Sequence, residues 1–351
     1  AKNAILPLRR SKIVHNTLKN GKYMGIPFYP SVYEHAAYLI GRGPGEVSRE
    51  SELLFSAHRA AHLQYGHSPI VVGIDIYNIE AEAYGCVVDQ PSGNGIPAIT
   101  EPLFASLEEV GDLDPFDPQT AGRIPMIIET GRRLALKFPK AKVAVPVSGP
   151  FSVAVGLRGV TGLLEDIALS PEEVSRFLMH LVEGQTRLCN SITDTGLDIT
   201  FFESAAAPPL LSPEQFRRIE LPALKETICR VSAAAGHRVP CIIGGDTLPI
   251  LDDILETGTD YVICPAETDQ SAFMEKIWDR TDVAVRINLN PNTVAYGSRE
   301  QILTEVDRIL RLVEQRPNVS LGTGAVPYET PPQNIKLIKE YLKQRASLLE
   351  A

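Results

Sequence analysis

Residues 240–248 read Pro-Cys-Ile-Ile-Gly-Gly-Asp-Thr-Leu, and this stretch sets the pattern for the whole chain. Its apolar run suits a strand that is buried on both faces, as strands of parallel sheets are. Two glycines stop the strand, Asp246 and Thr247 follow, and a helical pattern begins at Leu248. A strand that hands over to a helix delivers its polar residues to the carboxyl end of the sheet, where parallel α/β folds place their chemistry.

The same strand-then-helix unit recurs along the sequence. Eight runs are predicted as strands, each followed by a helical pattern: 25–30, 69–75, 142–148, 198–203, 239–243, 261–264, 283–288 and 318–321. This alternation indicates a parallel sheet, and eight units favour a closed (β/α)8 TIM barrel over an open sheet. We expect a single domain over 1–351, with an N-terminal helical extension over 8–20 and a hairpin excursion over 77–100, after the second strand.

Composition and net charge limit the kinds of molecule that the protein is expected to bind. A net charge of −9 argues against nucleic acid, because proteins that bind it need a basic face. The longest apolar runs are strand-sized, well short of the roughly 20 residues of a membrane helix. The five cysteines are scattered, with no CxxC pair. We therefore expect a cytoplasmic protein in a reducing setting, with no nucleic-acid or membrane partner.

Polar residues at the strand ends should converge on one mouth of the barrel. The candidate catalytic residues are Asp75, Glu203 and Asp246, which lie at the carboxyl ends of the second, fourth and fifth strands. The candidate substrate-binding residues are Tyr29, His35, Glu267, Asn288, Asn290 and Thr323. Several carboxylates in one cleft raise at least one pKa unless a cation neutralises them. The mouth is thus predicted to hold a proton for general-acid work, a hard or borderline metal, or a cationic ligand.

Some of these carboxylates also have a structural interpretation. Asp246 could simply cap the helix that follows it. Glu203 ends a buried strand, where an unpaired carboxylate is costly, and this favours a functional role. Glu80 and Glu82 lie in the excursion and are predicted to form a solvated face or a lip of the cleft.

Several motifs, in their order and spacing, resemble the uroporphyrinogen decarboxylase superfamily, which includes corrinoid-linked methyltransferases. They are Gly-Ile-Pro-Phe at 25–28, Asp-Ile-Tyr-Asn-Ile-Glu-Ala-Glu-Ala-Tyr-Gly at 75–85, Gly-Pro-Phe-Ser at 149–152, Leu-Ser-Pro-Glu-Gln-Phe at 211–216, Gly-Asp-Thr-Leu-Pro-Ile-Leu at 245–251, Asn-Leu-Asn-Pro at 288–291 and Gly-Thr-Gly at 322–324. The similarity runs through nearly the whole chain. It implies a (β/α)8 barrel, in agreement with the strand count.

Departures from the family pattern bear on the activity. The arginine-rich segment that grips substrate carboxylates in the decarboxylases is replaced, at 29–35, by Tyr-Pro-Ser-Val-Tyr-Glu-His. The histidine those enzymes carry after the eighth strand is Thr323 here, and of their central residues only the aspartate matches, as Asp75. An acidic mouth would also repel a polycarboxylate. Uroporphyrinogen decarboxylation is therefore disfavoured.

The coenzyme M methyltransferases of the superfamily hold zinc with a His-x-Cys pair in the fifth strand and a cysteine after the eighth. The matching positions here are Ile242, Gly244 and Thr323, so all three ligands are replaced and a zinc–thiolate mechanism is disfavoured. The resemblance then implies the remaining branch. In it a small methyl donor, with a methoxylated aromatic as the first candidate, passes its methyl group to the cobalt(I) of a corrinoid protein.

In that branch the cofactor is a corrinoid on a partner protein, and its cobalt is the nucleophile. The departing oxygen of the donor needs a proton or a cation. Protonated Glu203 or Asp246, or a divalent cation such as Zn held by the carboxylates, would supply it. Two other classes stay open, namely a decarboxylase of another carboxylic acid and a partner protein that docks a methylcorrinoid domain.

Overall fold

Eight parallel strands form the centre of the computed structural model, which describes residues 18–19, 22–23, 25–111, 113–314 and 316–350. The strands are β1 (Phe28–Ser31), β2 (Ile70–Val71), β3 (Val143–Ser148), β4 (Asp198–Phe202), β5 (Cys241–Ile242), β6 (Tyr261–Cys264), β7 (Ala284–Asn288) and β8 (Val319–Ala325). Their order in the sheet is β1-β8-β7-β6-β5-β4-β3-β2. Each of the eight predicted strands corresponds to one of these.

The sheet curls into a barrel because its last strand pairs with its first. Leu321 lies opposite Phe28, and Gly322 lies opposite Tyr29. No backbone ladder joins β1 to β2 within the described ranges. Side chains from β1, β2, β4, β5, β6 and β7 nevertheless line one cavity, which requires the sheet to wrap around it. The (β/α)8 TIM-barrel prediction is confirmed.

Helices cover the outside of the barrel and connect its strands. The α-helices are α1 (Glu34–Tyr38), α2 (Pro44–Val47), α3 (Ser51–Tyr65), α4 (Ile79–Tyr84), α5 (Ile124–Lys137), α6 (Pro150–Arg158), α7 (Val160–Leu169), α8 (Pro171–Thr193), α9 (Pro213–Gln215), α10 (Leu221–Ala235), α11 (Leu251–Glu256), α12 (Gln270–Ile277), α13 (Pro291–Tyr296), α14 (Arg299–Leu312) and α15 (Pro332–Glu350). A π-helical turn, Phe216–Glu220, joins α9 to α10. Of the helices described, none has the length and apolar character needed to cross a bilayer.

Two expectations about the ends and excursions need correction. The helical extension over 8–20 is a strand where it can be seen, because Leu18–Lys19 pairs antiparallel with Lys22–Tyr23; residues 1–17 lie outside the described part. The excursion after β2 contains helix α4 before it forms a hairpin-like bridge between Val88 and Ile99. Its several glycines did not indicate the short helix.

Inward-facing side chains form a second, smaller core on the barrel axis. Its buried members are Tyr33, Ile76, Phe202, Ile242, Tyr261, Ile263 and Ala284. Because side chains alternate along a strand, Ala284, Arg286 and Asn288 of β7 lie on the same, inward face. The Arg286 guanidinium and the Asn288 amide thus lie among aromatic and aliphatic side chains.

At the opposite end of the barrel, the buried Arg316 ties the start of β7 to the start of β8. Its Nη2 donates to the backbone carbonyls of Ile277 at 3.2 Å, Arg280 at 3.1 Å and Val283 at 3.2 Å. Its Nη1 donates to the carbonyl of Pro317 at 3.1 Å. One side chain therefore satisfies carbonyls from two segments, the connection between α12 and β7 and the residues before β8.

We expect Arg316→Met to lower the free energy of unfolding by about 2–4 kcal/mol, since several buried carbonyls would lose their donor. The exposed Arg311→Met, in the same region of the chain, should change it by less than about 0.5 kcal/mol. Urea unfolding followed by circular dichroism measures both. Equal stabilities of the two variants would contradict this role for Arg316.

Candidate active site

Asp75, which follows β2, is bound by Arg123 at the start of α5. The guanidinium donates to the two carboxylate oxygens at 2.7 Å each, and its Nε donates to Glu82 at 2.5 Å. Glu82 also accepts from Arg49 at 2.6 Å. Two arginines therefore balance two carboxylates in a largely buried cluster. Asp75 is ion-paired at the base of the excursion, and the prediction of Glu82 as a solvated face is wrong.

Glu80 is also part of the core. Its side chain is fully buried, and one oxygen accepts from the backbone N–H of Ser148 at 2.6 Å. Burial raises the pKa of Glu80 to about 7. The expectation of a solvated lip fails because α4 turns this residue towards the end of β3.

Glu203 ends β4 and binds the first turn of α6, outside the barrel wall. Its Oε1 accepts from the Ser152 N–H at 2.8 Å and the Ser152 hydroxyl at 2.6 Å, and its Oε2 accepts from the Phe151 N–H at 3.2 Å. The inward positions of this strand are taken by Thr200 and Phe202. A side chain on Gly149 would overlap the Glu203 carboxylate. Glu203 therefore caps α6, and the absence of a side chain at Gly149 leaves room for its carboxylate.

Glu220 faces Glu203 from the π-helical turn, and a hydrogen bond joins the two carboxyl groups. Both residues are fully buried. Burial, and then the charge of Glu203, raise the pKa of Glu220 well above its usual range. Neither Glu220 oxygen has a donor among the described groups, so a protonated Glu220 that donates to Glu203 satisfies both. A capping box, in which Ser212 and Gln215 exchange hydrogen bonds between side chain and backbone, starts α9 just before this turn.

Asp246 and Glu267 are exposed on the loops after β5 and β6. The Thr268 hydroxyl donates to Asp246 at 2.7 Å and accepts from the Leu248 N–H at 3.2 Å. Thr268 therefore fastens the two loops together. The 3-10 turn after Asp246 has no side-chain cap, so the capping interpretation of this residue is wrong.

Three of the predicted binding residues are engaged by the fold itself. His35 is buried, with Nε2 2.7 Å from the Tyr65 hydroxyl and Nδ1 2.9 Å from the Tyr328 carbonyl. Burial lowers the pKa of His35, so a neutral ring that donates from Nδ1 fits both contacts. The Thr323 hydroxyl accepts from the Ser31 N–H at 3.2 Å and joins β8 to β1.

Asn290 caps α13, because its side-chain oxygen accepts hydrogen bonds from the N–H groups of Asn292 at 2.9 Å and Thr293 at 3.2 Å. Asn288 and Tyr29, in contrast, do belong to the barrel interior. Asn288 is 4% exposed, and its Oδ1 has no donor among the described groups. Burial, and then the nearby Tyr261, raise the pKa of Tyr29 to about 12.

The mouth itself is built from residues that the sequence did not single out. An open cleft of about 560 Å³ lies between α6 and the excursion, and Tyr77, Ser152 and Ser204 contribute polar groups to its lining. The Tyr77 hydroxyl is 2.8 Å from the Ser204 hydroxyl. The Tyr77 ring packs edge-on against Phe202, as Tyr33 does, with ring centres 6.1 Å apart in both pairs.

Glu34 is a buried carboxyl group that interacts with Tyr33 and with Tyr77 of the mouth. It is 9% exposed, and burial raises its pKa to about 7. It acts electrostatically on the hydroxyls of Tyr33 and Tyr77. Glu34 directly precedes His35 in α1.

The predicted carboxylates do not come together as a metal site. Within the described ranges, no three His, Cys, Asp or Glu side chains form a group that could hold a metal ion. Asp75 is already neutralised by Arg123, and Glu203 accepts three hydrogen bonds from α6. These donor sets do not fit a divalent cation such as Zn.

Comparison with known proteins identifies the family to which the chain belongs. Residues 11–345 match the family model described as uroporphyrinogen decarboxylase (URO-D). A uroporphyrinogen decarboxylase of Chlorobaculum tepidum is 30% identical over 280 residues, which are 76% of this chain and 77% of that protein. The match to the enzyme of Chlorobium chlorochromatii, at 32% identity, spans 50% of each chain. The chain therefore spans only about half the length of some of these relatives.

Solved structures share the fold at lower identity. A methyltransferase from Methanosarcina mazei superposes with a TM-score of 0.77 at 21% identity, covering 92% of this chain and 94% of that one. A B12-independent methionine synthase from Shewanella sp. W3-18-1 superposes with a TM-score of 0.56 at 12% identity, covering 93% and 99%. These likenesses concern the barrel.

The Glu203–Glu220 pair predicts how stability depends on pH. Both carboxyls have a raised pKa, so the folded state binds more protons than the unfolded state above about pH 4.5, and stability falls as the pH rises. Glu220→Gln keeps a donor for Glu203 and removes one titrating group. We expect the variant to lose about 1–3 kcal/mol less than the wild type between pH 5 and pH 8.

Urea unfolding at four pH values in this range measures the difference. Glu340→Gln, on the exposed surface of α15, serves as the control and should follow the wild type. Parallel curves for Glu220→Gln and the wild type would show that the pair does not share a proton.

Proposed function

We propose that this chain, which belongs to the uroporphyrinogen decarboxylase family, is an enzyme that transfers a methyl group from a small donor to the cobalt(I) of a corrinoid protein. A methoxylated aromatic is the donor that we consider first, which makes the reaction an O-demethylation. The observation that carries the proposal is the exposed apolar rim of the mouth.

Exposed apolar side chains border the cleft on the β2 to β4 side of the barrel. Tyr77 is 42% exposed and Val160 is 44% exposed, and both line the cleft. Val87 and Ile96, on the excursion that forms one wall, are 66% and 47% exposed, and Leu103, just after it, is 37% exposed. A cluster of exposed apolar side chains around a cleft commonly marks a site for another protein. It suits a corrinoid domain, which must sit over the mouth for its cobalt to reach a bound donor.

A bound corrinoid would supply the nucleophile, so the residues of this chain need only hold the donor and assist its departing oxygen. Glu34 is the group we propose as the proton donor, because its pKa of about 7 keeps part of it protonated at neutral pH. Ser152 lines the cleft and donates its hydroxyl hydrogen to Glu203. We therefore assign Glu203 the role of orienting Ser152. Asp246 gives way to Glu34, because it is exposed and engaged by Thr268.

A decarboxylase of another carboxylic acid is the second candidate function. Curated relatives carry the name uroporphyrinogen decarboxylase, and this favours the class. The segment 29–35, which follows the first strand, contains no arginine for a polycarboxylate. The two functions differ in one product, because only decarboxylation releases CO2 without a methyl acceptor.

Free cob(I)alamin is the methyl acceptor with which we would test the proposal. The purified chain is mixed with cob(I)alamin and a panel of methoxybenzoates and methoxybenzenes, and methylcobalamin is followed by absorbance while CO2 is measured in parallel. We expect methylcobalamin to form with the wild type, at a rate that falls as the pH rises through about 7 and Glu34 loses its proton.

Glu34→Gln should slow the transfer by about 10²–10⁴-fold and remove that pH dependence. Glu340→Gln, on the exposed surface of α15, is the control and should match the wild type. Release of CO2 in the absence of cobalamin, with no methyl transfer, would overturn the proposal in favour of the decarboxylase.

A further inference from the structure

Arg286 occupies an unusual position on the axis of the barrel. It lies in the middle of β7, is 9% exposed, and lines the axial cavity. Its side chain crosses β8 over Gly322, where a Cβ would lie 2.7 Å from the Arg286 Cδ and 2.9 Å from its Cγ. The arginine therefore reaches the axis only because residue 322 has no side chain.

The charge of Arg286 has no counterion within the described part of the chain. None of the ion pairs there includes this residue, and its Nε has no acceptor. The two other deeply buried arginines are satisfied, Arg123 by carboxylates and Arg316 by backbone carbonyls. A buried charge without such partners destabilises a fold, so its presence calls for a ligand.

The surroundings of Arg286 offer neutral hydrogen-bond donors. Tyr29, Tyr33, Tyr261 and Thr200 line the same cavity. Burial raises the pKa of all three tyrosines, so their hydroxyls stay protonated at neutral pH and do not balance the guanidinium. Tyr261 forms a hydrogen bond with Arg286. A guanidinium beside several phenol hydroxyls is a set of donors that suits an anion.

The space beside Arg286 limits the size of that anion. The axial cavity measures about 50 Å³, which accommodates a carboxylate group or a few water molecules. Tyr33 lines this cavity and packs on Phe202, which in turn contacts Tyr77 of the mouth cleft. Tyr33, Phe202 and Tyr77 thus form a continuous line of packed aromatic rings from the cavity to the cleft.

We propose that Arg286 binds the carboxylate of a small monocarboxylate ligand, with the guanidinium donating to both of its oxygens. The identification of this ligand as the methyl donor rests on the proposed function. It makes the donor a methoxylated aromatic acid. The ring of such an acid would pack against Tyr33 and Phe202.

Binding without any corrinoid tests this assignment. Calorimetric titration compares 4-methoxybenzoate with 4-methoxybenzamide, which has nearly the same shape and no charge, at constant ionic strength. We expect the carboxylate to bind at least tenfold more tightly than the amide. Arg286→Met should abolish this preference, Arg286→Lys should reduce it, and Arg132→Met, which removes an exposed arginine, should preserve it.

Thermal unfolding separates a ligand-binding role from a structural one. Without ligand, Arg286→Met should unfold at the same temperature as the wild type or higher, because methionine removes an uncompensated buried charge. The carboxylate should raise the unfolding temperature of the wild type and leave that of Arg286→Met unchanged.

Equal affinities for the carboxylate and the amide, or unchanged carboxylate binding in Arg286→Met, would overturn the inference. Displacement of the probe by chloride at matched concentration would show a general anion site and overturn the carboxylate assignment. Carboxylate binding without methyl transfer would count against the proposed function alone. Transfer from uncharged methoxybenzenes that is insensitive to Arg286→Met would count against the inference alone.

Discussion

The pairing of β8 with β1 is the constraint on which the other features of the molecule depend. It turns eight parallel strands into a barrel and directs their alternate side chains onto one axis. Space on that axis is small, so each inward residue decides what its neighbours can be. Arg286, Asn288 and the aromatic residues around them share this interior. The same closure brings the loops after all the strands to one mouth.

Within this frame, the buried charges are neutralised in different ways, and this divides structural from functional residues. Asp75 is balanced by Arg123, and Glu203 by donors of α6 and the proton of Glu220. The acidic residues that the sequence predicted as one site therefore lie in separate clusters, where their partners belong to the fold. Within the described residues, the buried cation Arg286 has no counterion, so the barrel axis is expected to prefer an anion, whereas the sequence predicted an acidic site.

The fold could be predicted from the sequence because its signals are local. Apolar runs bounded by glycine and proline predict strands, and their eightfold recurrence predicts the barrel. The site could not be predicted to the same degree, because it depends on the direction of single side chains. Glu203 is one residue beyond the inward Phe202 and so faces the helices. Arg286 is hidden in an apolar strand, and only the register of β7 and β8 shows that it reaches the axis.

The close approach of Arg286 to Gly322 also has an evolutionary consequence. Any side chain at position 322 would occupy the space of the Arg286 stem and of the Asn288 amide. The two strands can therefore not vary independently at these positions. A lineage that acquires a residue other than glycine at 322 must shorten residue 286, and with it changes the charge of the barrel axis. Positions 286 and 322 should consequently covary among homologues, and their joint state would sort the family into chains with and without an axial cation.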